Sequence, residues 1–193
     1  MRYLIVLMIL MSGLIAQDHE YVGSTKCKSC HKKAESGDQW NKWLEGPHAG
    51  AFETLKSDAA LKIGKERGLT TTPDKAPECV VCHTTGFDKG GYAIMDDEFW
   101  AQTTSKGKPT KEVKLMKALQ SVGCENCHGP GSDYKSKKVM MGITDGSIDG
   151  ASVGLVKPVE STCKGCHNEN SPSYKGFDFA EMYKKIAHES PEG

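Results

Sequence analysis

Apolar residues recur at helical spacing in three stretches of this chain. The first stretch covers residues 49–66, where Phe52, Leu55, Ala59 and Ile63 stand three or four positions apart. That spacing is typical of a helix with one buried face. The sequence therefore predicts a helix over residues 49–66.

The other two stretches also carry residues that begin or end helices. Residues 110–122 follow Pro109 and lead to Gly123, and these two residue types commonly flank a helix. Residues 178–188 begin with Asp178, whose side chain can cap a first turn, and they carry an apolar stripe. Both stretches predict helices, the first ending at Gly123.

Between these helices the pattern favours loops. The stretch 141–154 is rich in glycine and polar residues and predicts a loop. No alternating run is long enough to predict a sheet. Hydrophobic residues make up 37% of the chain and aromatic residues 7%, which is too little for a large side-chain core. We expect a mainly α fold with short helices, long loops and little or no sheet.

The cysteines follow one pattern without exception. The chain has 8 cysteines, and all of them belong to copies of the motif CxxCH. In chain order the cysteine pairs and following histidines are Cys27, Cys30 and His31; Cys79, Cys82 and His83; Cys124, Cys127 and His128; and Cys163, Cys166 and His167.

CxxCH is the attachment motif of c-type haem. The two thiols form thioethers with the haem vinyl groups, and the adjacent imidazole binds the iron as proximal ligand. Zinc ribbons do not need a histidine after each CxxC pair, and a redox dithiol needs only one pair. The sequence therefore predicts four covalently attached haems c, around which a compact chain is wrapped.

The N-terminus has the pattern of a secretory signal peptide. Arg2 precedes an apolar run that extends to Ile15, which is shorter than the roughly 20 residues of a membrane span. We expect residues 1–17 to be the signal peptide, with cleavage near Ala16 or Gln17, and residues 18–193 to be a single tetrahaem domain. An uncleaved anchor is the alternative. Because c-type haem is attached outside the cytoplasm, a periplasmic or otherwise exported location follows, without stable membrane insertion after cleavage.

The charged residues argue against nucleic acid as a partner. The chain has 25 basic and 25 acidic residues, and only Arg2 and Arg67 are arginines. No basic patch with interleaved aromatic residues occurs, as nucleic-acid binding would require.

Three histidines lie outside the motifs, namely His19, His48 and His188. Four six-coordinate haems would need four distal ligands, so at least one iron must be five-coordinate or use another residue type. We predict His48 and His188 as distal ligands of haem iron, although each could be an ordinary histidine at a helix end. His19 lies close to the expected mature N-terminus and is the weaker candidate.

At four places the residues around these motifs resemble the tetrahaem cytochrome c-554 family. The resemblance rests on CVVCHTTGFDKGGY at 79–92, VGCENCHGPG at 122–131, the pattern of tryptophan, histidine and leucine over 43–55, and the segment that ends at His188. Members of that family are exported electron carriers that accept electrons from hydroxylamine oxidoreductase. The resemblance implies a mostly helical fold with haems in stacked pairs.

The resemblance also implies axial ligands. In the family three haems have two histidine ligands and the second haem is five-coordinate. His48 and His188 match distal positions, and the haem held by His83 matches the open one. The family has a further distal histidine after the third motif, where this chain has Lys138.

The missing histidine leaves several ligands possible for one haem, which we assign to the third or the fourth motif. Lys138, Met140 and Met141 lie at the right place in the sequence, and a methionine would raise the potential of the haem. His19 could take the position instead, or the site could be open.

The sequence predicts an electron carrier rather than an enzyme. It would pass electrons between redox partner proteins by hopping along closely packed haems, with no catalytic side chain. One alternative is an enzyme that binds or reduces a small nitrogen oxide at a five-coordinate haem. Another is a subunit of a haem-chain filament, in which His19 completes the iron of a neighbour.

Overall fold

The computed structural model describes residues 19–188. This part of the chain contains eleven short α-helices and no β-strand; one isolated antiparallel bridge joins Thr103 and Pro109. The α-helices are α1 (Lys28–His31), α2 (Gln39–Glu45), α3 (Ala51–Thr54), α4 (Asp58–Glu66), α5 (Pro77–His83), α6 (Asp97–Trp100), α7 (Lys111–Ala118), α8 (Cys124–His128), α9 (Lys137–Thr144), α10 (Glu160–Lys164) and α11 (Phe179–Ile186). Four 3-10 turns lie at Ser24–Lys26, Ala34–Ser36, Pro73–Lys75 and Gly150–Val153.

The mainly α fold expected from the sequence is therefore confirmed. The signal peptide predicted for residues 1–17 lies outside the described residues. Within residues 19–188 none of the helices has the length and apolar character needed to span a membrane.

The helix predicted for residues 49–66 is two helices, α3 and α4. Ser57 separates them because its hydroxyl oxygen accepts a hydrogen bond from the Ala60 N–H at 3.2 Å. A serine in this position satisfies an amide at the start of a helix that has no other partner. The apolar spacing is correct for both helices, but it does not show the cap between them.

The other two predicted helices are present, and one is shorter than expected. Helix α7 begins after Thr110, which caps it, and ends at Ala118 rather than at Gly123. The Leu119 carbonyl accepts the Thr85 N–H at 2.9 Å. This carbonyl is therefore bonded to a segment distant in sequence and not to an amide of a further helical turn. Helix α11 begins after Asp178, whose carboxylate accepts the Glu181 N–H at 2.9 Å.

The loop predicted for residues 141–154 was wrong at its beginning, because α9 continues through residue 144. The Ser136 hydroxyl caps α9 by accepting the Val139 N–H at 3.3 Å. Gly142 lies inside this helix, where a Cβ would meet the Ile148 side chain at 2.7 Å. The glycine there allows close packing and does not break the helix.

The side-chain core is small and lies around the second CxxCH motif. Its buried residues are Phe52, Leu55, Val80, Tyr92 and Leu119. They come from α3, α5 and the segments around them, so the core supports one motif directly. Hydrogen bonds between loops hold the first and third motifs outside this core.

Candidate functional site

Each CxxCH motif lies on or next to a short helix. In α1, α5 and α8 the motif histidine is the last helical residue, whereas α10 ends two residues before Cys166. None of the eight cysteines is in a disulfide bond. One helical turn brings two thiols and an imidazole close together, which is the arrangement needed to hold one porphyrin edge and its iron.

In three of the motif histidines, Nδ1 forms a hydrogen bond to an oxygen atom. His83 Nδ1 donates to the Ala51 carbonyl at 2.6 Å, His128 Nδ1 donates to the Val156 carbonyl at 3.4 Å, and His31 Nδ1 donates to the Gln39 amide oxygen at 3.3 Å. A hydrogen bond from Nδ1 fixes the tautomer and leaves Nε2 as the metal-binding atom. These three imidazoles therefore have the form that binds iron.

Two motif histidines face a second imidazole. The ring centroids of His128 and His188 are 6.0 Å apart, and those of His48 and His167 are also 6.0 Å apart. A metal between two imidazoles, with bonds of about 2 Å to each nitrogen, needs ring centroids about 6 Å apart. Both pairs therefore fit an iron with two histidine ligands.

The environment of these pairs favours neutral imidazole. Burial lowers the pKa of His48, and the neighbouring His167 lowers it further. Burial is also the main reason that the pKa of His128 is lowered. Since only neutral imidazole binds a metal, both shifts favour ligation near neutral pH.

The other two motif histidines, His31 and His83, have no facing imidazole in residues 19–188. All seven histidines of the chain lie within that range, and four of them form the two pairs. His19 is held elsewhere: its Nδ1 lies 2.9 Å from the Asp133 carboxylate, and its ring packs beside Gly154.

This arrangement differs from our assignment of the missing ligand to the third or fourth motif. The facing imidazoles lie at those two motifs, and the first and second motifs lack them. The resemblance places the missing histidine shortly after the third motif in the sequence, whereas the facing histidines come from segments far away in the chain.

The three other ligand candidates lie on α9. Lys138 is exposed in its first turn, Met140 is half-buried, and Met141 is 57% exposed. Lys138 and Met141 line a cavity of about 500 Å³. Their predicted role as ligands of the third- or fourth-motif haem stays a prediction.

Cysteines of different motifs are close together. The Cys27 thiol lies beside the Cys124 thiol, and the Cys82 thiol lies beside the Cys166 thiol. These contacts join the first motif to the third, and the second to the fourth.

The third and fourth motifs are also neighbours. Burial raises the pKa of Cys127 to about 11, and the nearby Cys163 contributes to this shift. In addition, the Val156 N–H donates to the His128 carbonyl at 3.0 Å. The third motif therefore lies next to both the first and the fourth.

The two central residues of the third motif are polar, and they connect it to other segments. Asn126 accepts the Gly123 N–H at 2.9 Å and donates to the Thr84 carbonyl at 3.0 Å. The Thr85 hydroxyl accepts the Gly123 N–H at 3.0 Å. The end of the second motif is thus fixed to the beginning of the third.

The other central residue, Glu125, is 2% exposed. Its carboxylate accepts three backbone N–H groups, from Val22 at 2.9 Å, Gly23 at 2.7 Å and Gly131 at 2.7 Å. Sequence analysis missed this residue because a glutamate between two cysteines looks like a solvent-exposed position.

Gly129 explains how the chain leaves the third motif. Its φ of +79° lies in the region that favours glycine, and a Cβ there would clash with the Gly154 carbonyl oxygen. The chain therefore turns away directly after His128, as the glycine–proline–glycine sequence at 129–131 predicts.

Comparisons with known proteins agree with this geometry. A family model described as "Cytochrome c554 and c-prime" matches residues 26–105 and 99–129. Cytochrome c-554 of Nitrosomonas europaea is 31% identical over 200 residues, which cover 89% of this chain and 75% of that protein. The chain belongs to the cytochrome c554 family.

A solved structure of this family supports the same conclusion. The reduced state of cytochrome c554 from Nitrosomonas europaea matches with a TM-score of 0.59 and 29% identity, over 90% of this chain and 86% of that one. The chain is accordingly a multihaem c-type cytochrome of electron transport, with covalently attached haems, and redox proteins are its partners.

Proposed function

We propose that this cytochrome c554 family member is an exported tetrahaem carrier, which passes electrons between redox partner proteins along four closely spaced haems. Each haem, when bound, supplies a one-electron couple of iron. The polypeptide contributes the attachment points, the axial imidazoles and the spacing. No side chain has to act as an acid or a base.

The contacts between cysteines of different motifs are the observation that carries this proposal. Cys27 meets Cys124 and Cys82 meets Cys166, which gives two pairs of neighbouring attachment sites. The third and fourth motifs connect the pairs. This supports an order of transfer from the first motif through the third and fourth to the second, or the reverse.

The axial ligands follow from the ring pairs. We assign His31, His83, His128 and His167 as proximal ligands, His188 as distal ligand at the third motif, and His48 as distal ligand at the fourth. The haems of the first and second motifs then have no histidine on the distal side.

Export and the electron donor belong to the same proposal. Haem attachment outside the cytoplasm requires export, and residues 1–17 have the sequence of a signal peptide that directs it. By the resemblance at the four motif regions, an enzyme like hydroxylamine oxidoreductase is the donor that we propose.

The test is expression in a host that matures c-type cytochromes. We expect an intact mass equal to that of residues 18–193 plus four haems, and complete, reversible reduction at all four. The variant Cys163→Ala/Cys166→Ala is the matched control and should lose one haem. Zinc or free thiols in the purified protein would refute the proposal.

One observation favours a second function, the binding or reduction of a small nitrogen oxide. Two motif histidines, His31 and His83, have no facing imidazole in the part of the chain that the structure describes. Such an iron could bind a small ligand directly. Nitric oxide titration with a turnover assay separates the two functions, because a carrier alone shows no turnover.

A further inference from the structure

The Glu125 carboxylate is buried and has no cationic partner. It is 2% exposed, and no ion pair found in residues 19–188 includes it. Its three hydrogen-bond donors are backbone amides. A buried carboxylate without a cation is costly to keep, and here only the three backbone N–H groups compensate its charge.

The position of this carboxylate is between two haem attachment sites. Glu125 is part of the third motif, directly after Cys124. Two of its donors, Val22 and Gly23, lie just before the first motif. Cys27, which begins that motif, lies beside Cys124. The charge is therefore close to both motifs.

Neighbouring groups respond to this charge. Burial raises the pKa of Tyr21, and Glu125 raises it further. The pKa of Tyr134 is raised by burial first and then by Glu125. Both phenols resist a second negative charge beside the carboxylate, as expected where the dielectric constant is low.

We propose that Glu125 is a positioning and tuning residue that lowers the reduction potentials of the haems on the first and third motifs. This rests on the proposed tetrahaem function. Reduction adds an electron to each haem, and a fixed negative charge nearby makes that addition less favourable. Burial, hydrogen bonding and local charge are the means by which a protein sets haem potentials.

The same carboxylate also joins the segment before the first motif to α8. Three N–H groups from two segments converge on its oxygens. Loss of the charge and loss of this connection must therefore be separated by experiment. Ser24 offers the matched control, because its hydroxyl accepts the Cys124 N–H at 3.1 Å in the same junction and is neutral.

The experiment is a spectroelectrochemical titration of wild type, Glu125→Gln, Glu125→Ala, Glu125→Asp and Ser24→Ala. We expect two of the four potentials to rise in Glu125→Gln and the other two to stay. Glu125→Asp keeps the charge on a shorter side chain, so its potentials should stay near wild type while its stability falls. Ser24→Ala should leave all four potentials unchanged.

Five outcomes are decisive. Unchanged potentials in a Glu125→Gln protein with four haems would overturn the proposal, as would an equal rise in Ser24→Ala. If Glu125→Gln does not assemble, Glu125→Ala decides: a rise in two potentials supports the role of charge, and unchanged potentials overturn it. A wild-type protein without four reducible haems would refute the proposed function instead, and the two failures are thus distinguishable.

Discussion

The third and fourth motifs differ from the first and second in what stands opposite their histidines. His128 and His167 each have an imidazole whose ring centroid is 6.0 Å away. His31 and His83 have none in the described part of the chain. The five-residue motif is the same in all four places, so it determines attachment and the proximal ligand only. Distant segments decide whether the iron has a second ligand.

The segment that carries His48 shows how such a partner is held. The His48 carbonyl accepts the Val122 N–H at 3.1 Å, and the Trp43 indole donates to the Val122 carbonyl at 3.0 Å. These two hydrogen bonds fix the loop after α2 beside the start of the third motif. The His48 ring can then reach His167, on the fourth.

Removing either facing imidazole should leave the iron of that motif without a distal histidine, as at the first and second motifs. His48→Ala and His188→Ala should each convert one low-spin haem to high-spin, because an axial nitrogen is lost. Electron paramagnetic resonance of the oxidised protein measures this, and carbon monoxide binding to the reduced protein should increase by one equivalent. His19→Ala is the control and should change neither, because His19 contacts Asp133.

The second prediction concerns the haems whose motif histidines, His31 and His83, have no facing imidazole in residues 19–188. We expect a high-spin signal in the oxidised wild type, and an entirely low-spin spectrum would contradict an open second-motif haem. If a methionine binds one of the haem irons, Met140→Leu/Met141→Leu should lower one potential and add one equivalent of bound carbon monoxide. If Lys138 is the ligand instead, Lys138→Ala should add one equivalent of bound carbon monoxide. If the first-motif and second-motif haems are both open, the reduced wild type and all of these variants should bind two equivalents of carbon monoxide.

The attachment sites were readable from the sequence because they depend on neighbouring residues. Cys124, Cys127 and His128 must be close in the chain to share one porphyrin, so their spacing is sufficient evidence. The helices of residues 111–118 and 179–186 were readable for a similar reason, since caps and apolar stripes are local.

The facing histidine pairs and the contacts of the third motif could not be predicted in this way. His188 faces His128, and His48 faces His167, across long stretches of chain that no local pattern connects. Glu125 and Asn126 look like surface residues in the sequence, and only the folded chain brings amide groups of other segments to them. Helix α9 was missed because Gly142 resembled a loop residue, whereas it permits contact with Ile148.

The third prediction compares the central residues of two motifs. Asn126→Ala removes an acceptor for the Gly123 N–H and a donor to the Thr84 carbonyl, and should lower the free energy of unfolding by about 1–3 kcal/mol. Ser29→Ala, at the same position of the first motif, changes an exposed side chain and should cost less than about 0.5 kcal/mol. Denaturant unfolding of the holoproteins, followed by haem absorbance, measures both. Equal losses would show that the third motif does not connect the segments.

The smallest effect concerns the cap of the helix that leads to His188. Asp178→Ala removes the acceptor for the Glu181 N–H and should destabilise the start of α11 by about 1 kcal/mol. Since His188 follows α11 by two residues, fraying should release it from the third-motif haem. The high-spin fraction should then increase on warming at lower temperatures than in wild type. Ser57→Ala removes the equivalent cap of α4, which carries no histidine, and should leave the spin state unchanged. Equal spin changes in the two variants would mean that general loss of stability, rather than the position of His188, controls this ligand.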